Sequence, residues 1–196
     1  MPDPQWSLTV VTPPAELPVS MAAAKRQLRV EHDLEDEDIA DDLAAATDLA
    51  ERHCNRCFVT RTVRARTAAF PAGGRALALP VGPVRSVSAV RYVAEDGTVE
   101  TLDPAGYVPW SPNNAPAVSA GADGWPAALA DPAGYVEVEY VAGYGTAAQV
   151  PAAAKKAIRL ILGHLWADRG DQGAKSADLP PAAIRFLASV DEGGYR

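Results

Sequence analysis

The stretch Leu17–Cys57 reads LPVSMAAAKRQLRVEHDLEDEDIADDLAAATDLAERHCNRC and carries the signals of two consecutive helices. Ser20 is a favourable N-cap for the first helix, because its hydroxyl can accept a hydrogen bond from an amide of the first turn. This short helix is predicted to end at Leu28 or Arg29. The second helix is predicted to begin within Leu34–Asp38, where acidic residues complement the positive end of the helix dipole.

The second helix is predicted to reach about Arg56 and to carry a single apolar stripe. Its apolar residues recur at steps of three and four: Ile39, Leu43, Ala46, Ala50 and Cys54. A helix pair with one such stripe cannot bury it alone and needs a further helix. The chain supplies one from Pro151 to about Asp168. Its apolar face is formed by Ala154, Ile158, Ile161, Leu162 and Leu165.

Between the helical parts the apolar pattern alternates residue by residue, which indicates β-strands. The strands are predicted at Ser7–Val11, Phe58–Arg66, Ala76–Leu79, Ser86–Ala94, Thr98–Leu102 and Gly134–Val141. Asp96-Gly97 is expected to close a hairpin. Residues 103–132 are rich in Pro, Gly and Ala and are predicted to form a packed loop region.

The order of these elements predicts an α+β fold. A small helical bundle, built from two N-terminal helices, a long C-terminal helix and a short tail helix at Ala182–Ser189, carries an inserted antiparallel β subdomain. The predicted segments follow from this order. They are an extended arm (1–16), a helical hairpin (17–57), the β subdomain (58–145), the third bundle helix with a loop (146–178), and the C-terminal helix and tail (179–196).

Charge is segregated along the chain. The net charge of −7 argues against a general nucleic-acid binder, because affinity for phosphates depends on Lys and Arg. Acidic residues fill 31–51, and arginines without acids fill 52–94. Such blocks form either solvated faces or complementary faces that meet within the fold or between copies. The candidate acidic face is Glu35, Asp38, Asp41, Asp42 and Asp48, and the candidate basic face is Arg61, Arg64 and Arg66.

The sequence predicts a soluble protein made in the cytoplasm. Residues 1–4 lack the basic start of a signal peptide, and no apolar run approaches the roughly 20 residues that span a bilayer.

The motif Cys54-Asn-Arg-Cys57 follows His53 and is the most conspicuous chemical pattern in the chain. It falls at a helix C-terminus, where the dipole disfavours a thiolate, and it supplies only half of a zinc site. We interpret both cysteines as structural, and expect no metal or other cofactor. A small zinc or redox protein that uses these three residues is the alternative.

Three weaker patterns also have structural interpretations. Gly143-Tyr-Gly145 resembles a dinucleotide fingerprint but is read as a strand-to-helix corner, because the next helix starts too late to hold a pyrophosphate. Asp36, Asp38 and Asp42 could hold a divalent cation, but we interpret them as a solvated helix start. Trp110 and Trp125 leave open a carbohydrate- or peptide-binding β module. No catalytic constellation is visible, so no enzymatic activity is expected.

An ordered set of short motifs resembles the head–tail connector (adaptor) family of tailed phages. The set runs over about residues 11–170. It comprises Leu17-Pro-Val-Ser20, Ala24-Lys25-x-x-Leu28-Arg29-Val30, Asp36-Glu-Asp-Ile39, Phe70-Pro71, Leu79-Pro80, Val87–Tyr92, Asp96-Gly97, Leu102-Asp103, Ala142-Gly-Tyr-Gly145, Val150-Pro151, Ala157-Ile158 and His164–Arg169. The Ala- and Arg-rich composition also suits the adaptor of a gene transfer agent, which is a domesticated phage-like particle.

The resemblance implies a structural role in the neck of a particle that assembles in the host cytoplasm. Adaptors of this family form a ring, usually of twelve copies, below the portal, and they offer a platform to the next neck protein. DNA passes through such a ring without specific binding. The acidic face would then line the lumen or contact a neighbouring subunit, and the basic face would contact a subunit. The portal would meet the C-terminal segment through Ile184, Phe186, Leu187, Tyr195 and Arg196.

Overall fold

The computed structural model of the chain describes residues 6–110, 115–128, 134–168 and 179–191. The elements form two compact units. The β unit comprises Met1–Pro14 and Thr60–Gly143, and the helical unit comprises Ala15–Val59 and Tyr144–Arg196. The predicted α+β fold, with helices on either side of an antiparallel β part in the sequence, is confirmed.

The described part of the helical unit contains α1 (Met21–Leu28), α2 (Asp36–Cys54), α3 (Ala152–Asp168) and α4 (Pro181–Asp191). Ser20 caps α1 as predicted, because its hydroxyl accepts a hydrogen bond from the amide of Ala23. α2 ends before the predicted Arg56, because Asn55 adopts a left-handed conformation that closes the helix. α4 extends past the predicted tail helix at both ends.

The four helices share one apolar core. The five apolar residues predicted for α2 are buried, as are four of those predicted for α3; Leu165 is half-buried. α4 adds Ala183, Leu187 and Val190 to this core. Phe58, predicted to open the first strand of the β part, is instead fully buried in the helical core. That strand therefore begins later than predicted, at Arg61.

Eight strands lie in the described part of the β unit: β1 (Ser7–Thr12), β2 (Arg61–Thr67), β3 (Leu77–Ala78), β4 (Val84–Val93), β5 (Val99–Thr101), β6 (Tyr107–Trp110), β7 (Ala117–Ala120) and β8 (Val136–Ala142). Five of them form an antiparallel sheet in the order β1-β2-β8-β4-β5. The other three form a smaller antiparallel sheet in the order β3-β7-β6.

The prediction that residues 103–132 form a loop region is wrong where β6 and β7 lie. Each of these strands is four residues long, and β6 contains Pro109, so neither shows the longer alternation that signals a strand. They form because they pair with each other and β7 also pairs with β3. The β4–β5 hairpin is confirmed, and Gly97 takes the positive φ of 87° that its turn requires.

The five-stranded sheet has one apolar and one charged face. The apolar face is fully buried on the inner strands, where it includes Val63, Ala65, Val90, Val136, Val138 and Tyr140. The opposite face carries arginines of β2 and β4 beside glutamates of β8. This arrangement follows from the alternation of side chains along each strand.

Candidate assembly surfaces

The C-x-x-C motif is part of the packing of the helical unit. Cys54 and Cys57 are both buried, and the thiol of Cys54 donates a hydrogen bond to the carbonyl oxygen of Ala50 at 3.1 Å. His53 is exposed on α2. Within residues 6–110, 115–128, 134–168 and 179–191, no group of three His, Cys, Asp or Glu side chains is placed to hold a metal ion. The geometry therefore gives no support to the zinc or redox alternative.

The acidic residues predicted for one face of α2 divide into two sets. Asp38, Asp41 and Asp48 are exposed on the side of the helix opposite its buried stripe, and we call these three the acidic face of α2. Glu35 and Asp42 are only partly exposed. Within the acidic face, a carboxylate oxygen of Asp48 forms an exposed ion pair with Arg52, one turn along the helix, at 2.9 Å. Exposed pairs of this kind contribute little to stability.

A single lysine joins α1 to the start of α2. The Lys25 ammonium nitrogen lies 2.6 Å from a carboxylate oxygen of Asp33 and 2.7 Å from one of Asp36. The hydrogen bond to Asp33, followed by that to Asp36, raises the pKa of Lys25. The same lysine lowers the pKa of Asp33. Asp36, a candidate cation ligand in the sequence, is thus paired with a positive side chain.

An arginine–glutamate cluster spans three strands of the five-stranded sheet. From β2, Arg66 lies 2.8 Å from Glu137 and Arg64 lies 2.9 Å from Glu139. Arg91 of β4 contacts both glutamates, at 3.2 and 3.4 Å. Glu137 is only 5% exposed and lies against Arg66 and Arg91 within this cluster. The hydrogen bond from Arg64 is the main reason why the pKa of Glu139 lies below its ordinary value.

The predicted basic face is therefore not a single surface. Arg64 and Arg66 share the charged face of the sheet, whereas Arg61 alternates to the other face of β2. Arg64 and Arg66 form ion pairs with glutamates of the same chain, and these pairs link β2 to β8. Sequence reasoning missed the glutamate partners. Their alternation along β8 indicates an outward face, but it does not say which strand lies beside it.

Only part of the predicted C-terminal contact is exposed. Leu187 is fully buried in the helical core, while Ile184 and Phe186 are each 38% exposed. Because they are two residues apart on a helix, these two side chains point about 160° apart around the helix axis. They therefore lie on either side of the buried stripe and do not form one patch. Tyr195 and Arg196 lie outside the described residues.

β1 is exposed on both faces, a feature that the predicted extended arm did not anticipate. All six of its residues are exposed, and Leu8, Val10 and Val11 are 42%, 47% and 42% exposed. The strand lies at one edge of the five-stranded sheet, and its pairing partner among the described residues is β2. The absence of charged residues from Ser7–Thr12 was the available sequence signal.

Trp125, one of the two tryptophans considered for ligand binding, is used in packing. Trp125 stacks on Phe70 with ring centroids 4.7 Å apart, and its indole nitrogen donates to the carbonyl oxygen of Arg75 at 2.9 Å. Phe70 also contacts Tyr92 at a centroid distance of 5.7 Å. The side chain of Trp110 lies outside the described part of the chain. None of the described helices is both long and apolar enough to cross a membrane.

No protein-family profile matches the sequence, and no curated protein matches it. The fold is nevertheless similar to chains in solved structures of gene transfer agent (GTA) particles. A chain in the virion of a native particle has a TM-score of 0.74 at 22% identity, over 96% of both chains.

Chains in two neck structures agree equally well. The neck of an empty particle, computed with C6 symmetry, gives a TM-score of 0.75 at 22% identity over 97% of this chain and 96% of that one. The neck of a native particle, computed with C12 symmetry, gives 0.73 at 22% identity over the same shares. The similarity establishes a shared fold over almost the whole chain.

Proposed function

We propose that this chain is a structural head–tail adaptor in the neck of a gene transfer agent or related phage-like particle, and that it catalyses no reaction. The observation that carries the proposal is the fold shared with chains of GTA virion and neck structures over 96–97% of its length. The resemblance of its short motifs to phage adaptors supports the same role. The two observations are independent, because the resemblance rests on short sequence motifs and the fold comparison rests on the path of the whole backbone.

In this role the chain forms a ring of twelve copies below the portal and offers its other side to the next neck protein. The similar chain in the neck computed with C12 symmetry supports this arrangement, because that symmetry relates twelve copies around one axis. The ring extends the channel through which DNA passes without specific binding. Assembly takes place in the host cytoplasm, and no membrane is involved.

The acidic face of α2 is proposed to line the lumen or to contact a neighbouring subunit. Its three carboxylates are exposed and point away from the helical core. A carboxylate-lined wall repels phosphates, so DNA would slide past it without being held. A ring structure that places Asp38, Asp41 and Asp48 on its outer surface, away from any neighbour, would refute both placements.

The portal contact is proposed to lie in the C-terminal segment, through Ile184, Phe186, Tyr195 and Arg196. Leu187 contributes indirectly, because its burial holds α4 on the helical core. Deleting the whole segment would remove core residues, so it is a poor test. We expect Ile184→Asp and Phe186→Asp to weaken portal binding, while Val108→Asp, an exposed change in the β unit, leaves it intact. Equal binding by all three variants would exclude this site.

The test of the function itself is co-expression with the portal of the same particle, followed by negative-stain imaging of the purified complex. We expect rings of this chain at one end of the portal. A chain that remains monomeric and leaves the portal bare would contradict the proposal. Portal alone and adaptor alone serve as controls, because the ring is expected to form on the portal.

A further inference from the structure

The exposed β1 strand is an unusual sheet edge. Exposed edges are normally protected by charged residues or proline, because their free backbone groups can pair with another chain. Ser7–Thr12 contains neither a charge nor a proline, and its single irregularity is a register shift between Val10 and Thr12. Such an edge is suited to pairing with a further strand.

The side chains of β1 also continue the apolar face of the sheet. Leu8 lies opposite Ala65 and Val10 opposite Val63, and both β2 residues are fully buried. Because paired residues share a face of the sheet, Leu8 and Val10 extend the buried surface to a place where they remain more than 40% exposed. β1 thus offers both backbone groups and apolar side chains to a partner.

At the opposite edge of the same sheet, β5 leaves uncovered a part of β4 that is as long as β1. β5 pairs with β4 only over Arg91–Val93. Among the described residues, no strand pairs with the β5 side of β4 over the six residues Val84–Ala89. β1 also has six residues. Two register shifts lie in this half of β4, on its β8 side, and such irregularities bend a strand.

We propose that β1 of one copy adds to the free half of β4 in the next copy, so that the five-stranded sheets of neighbouring subunits join. The inference rests on the proposed function, since it assumes a ring of copies. Every neighbouring pair in the sheet is antiparallel, so β1 runs opposite to β4. A neighbouring β1 in the same orientation would therefore pair antiparallel with β4.

The proposed contact has the symmetry that a ring needs. β1 and β4 are different surfaces, so each copy contributes β1 to one neighbour and β4 to the other. Such head-to-tail contacts form a ring when the rotation between successive copies closes on itself. A second copy fits this edge better than an unrelated partner does, because one contact covers both open edges of the sheet. The bend in β4 would let successive sheets turn around the ring axis.

Cysteine crosslinking in the ring bound to the portal tests this contact. Thr9→Cys is combined with Ser86→Cys or with Ser88→Cys, since all three positions are exposed and the pairing register is not fixed. The native cysteines are buried, so a short bismaleimide should leave them unlinked. We expect a ladder of crosslinked multimers from at least one double variant and only monomer from each single variant.

A charge variant supplies the second readout. Leu8→Lys combined with Val10→Lys should abolish rings on the portal, while circular dichroism remains that of the folded chain. The matched control is Val108→Lys, which alters an exposed valine on an edge strand of the smaller sheet. Rings that persist in the double-lysine variant, rings without any ladder, or crosslinks from residue 9 to another neck protein would each overturn the inference and leave the adaptor function standing. Failure of the wild-type chain to form rings would instead overturn the proposed function and this contact with it.

Discussion

The placement of Leu187 in the helical core makes a quantitative prediction about α4. Leu187→Ala removes three carbon groups from a side chain that has no exposed surface. At about 0.8 kcal/mol for each buried carbon group, the lost transfer free energy is about 2.4 kcal/mol. The cavity left behind adds to this, and buried Leu→Ala changes fall at about 2–5 kcal/mol. We therefore expect the free energy of unfolding of the helical unit to fall by about 3 kcal/mol.

Ile184→Ala is the matched control, because it removes as many carbon groups from the same helix at a side chain that is 38% exposed. Its partial exposure reduces the expected loss to about 1.5 kcal/mol. Urea unfolding followed by circular dichroism at 222 nm measures both, since the helical unit provides most of that signal. Equal losses in the two variants, or a larger loss for Ile184→Ala, would show that α4 is not anchored by Leu187.

Three further predictions concern charge, backbone and thiols. The pKa of Glu139 is lowered chiefly by Arg64, so its contribution to stability is present above its ordinary pKa of 4.5 and is lost as the pH falls from there through the lowered value. As the pH falls from 4.5 through the lowered pKa, the free energy of unfolding should thus decrease less in Glu139→Gln than in the wild type. Gly145→Ala should lower the free energy of unfolding by about 1–3 kcal/mol, because φ is 131° there and a Cβ would overlap the side chain of Gln149. Gly74→Ala, at a positive φ in open space, should cost less in the same urea titration. Both cysteines are buried, so they should react with maleimide only as the protein unfolds, and rapid labelling of the native chain would contradict their structural role.

The helical unit was predictable because its signals are local. The cap at Ser20 and the stripe on α2 follow from residues that lie within a few turns of one another. The same reasoning could have placed Leu187 correctly. Ala183, Leu187 and Val190 recur at steps of four and three, which is the period of a buried stripe, whereas grouping residues 184, 186 and 187 as one contact ignored that period.

The β unit was less predictable because its features depend on pairing between distant segments. The strands β6 and β7 are too short to show alternation and exist through their mutual pairing. The arginine–glutamate cluster likewise requires β8 to lie between β2 and β4, an order that no local pattern encodes. The charge blocks left open two interpretations, solvated faces or complementary faces that meet. The partners of Arg64 and Arg66, however, proved to be glutamates of β8 and not the acidic residues of α2.

The most direct test of the adaptor function is the stoichiometry of the purified complex with the portal, measured by native mass spectrometry. The proposed ring predicts that the portal gains the mass of twelve copies of this chain in one step, without intermediate numbers at saturation. A portal that gains no mass, or only one or two copies at saturating chain, would contradict the central claim that this protein is a ring-forming neck adaptor.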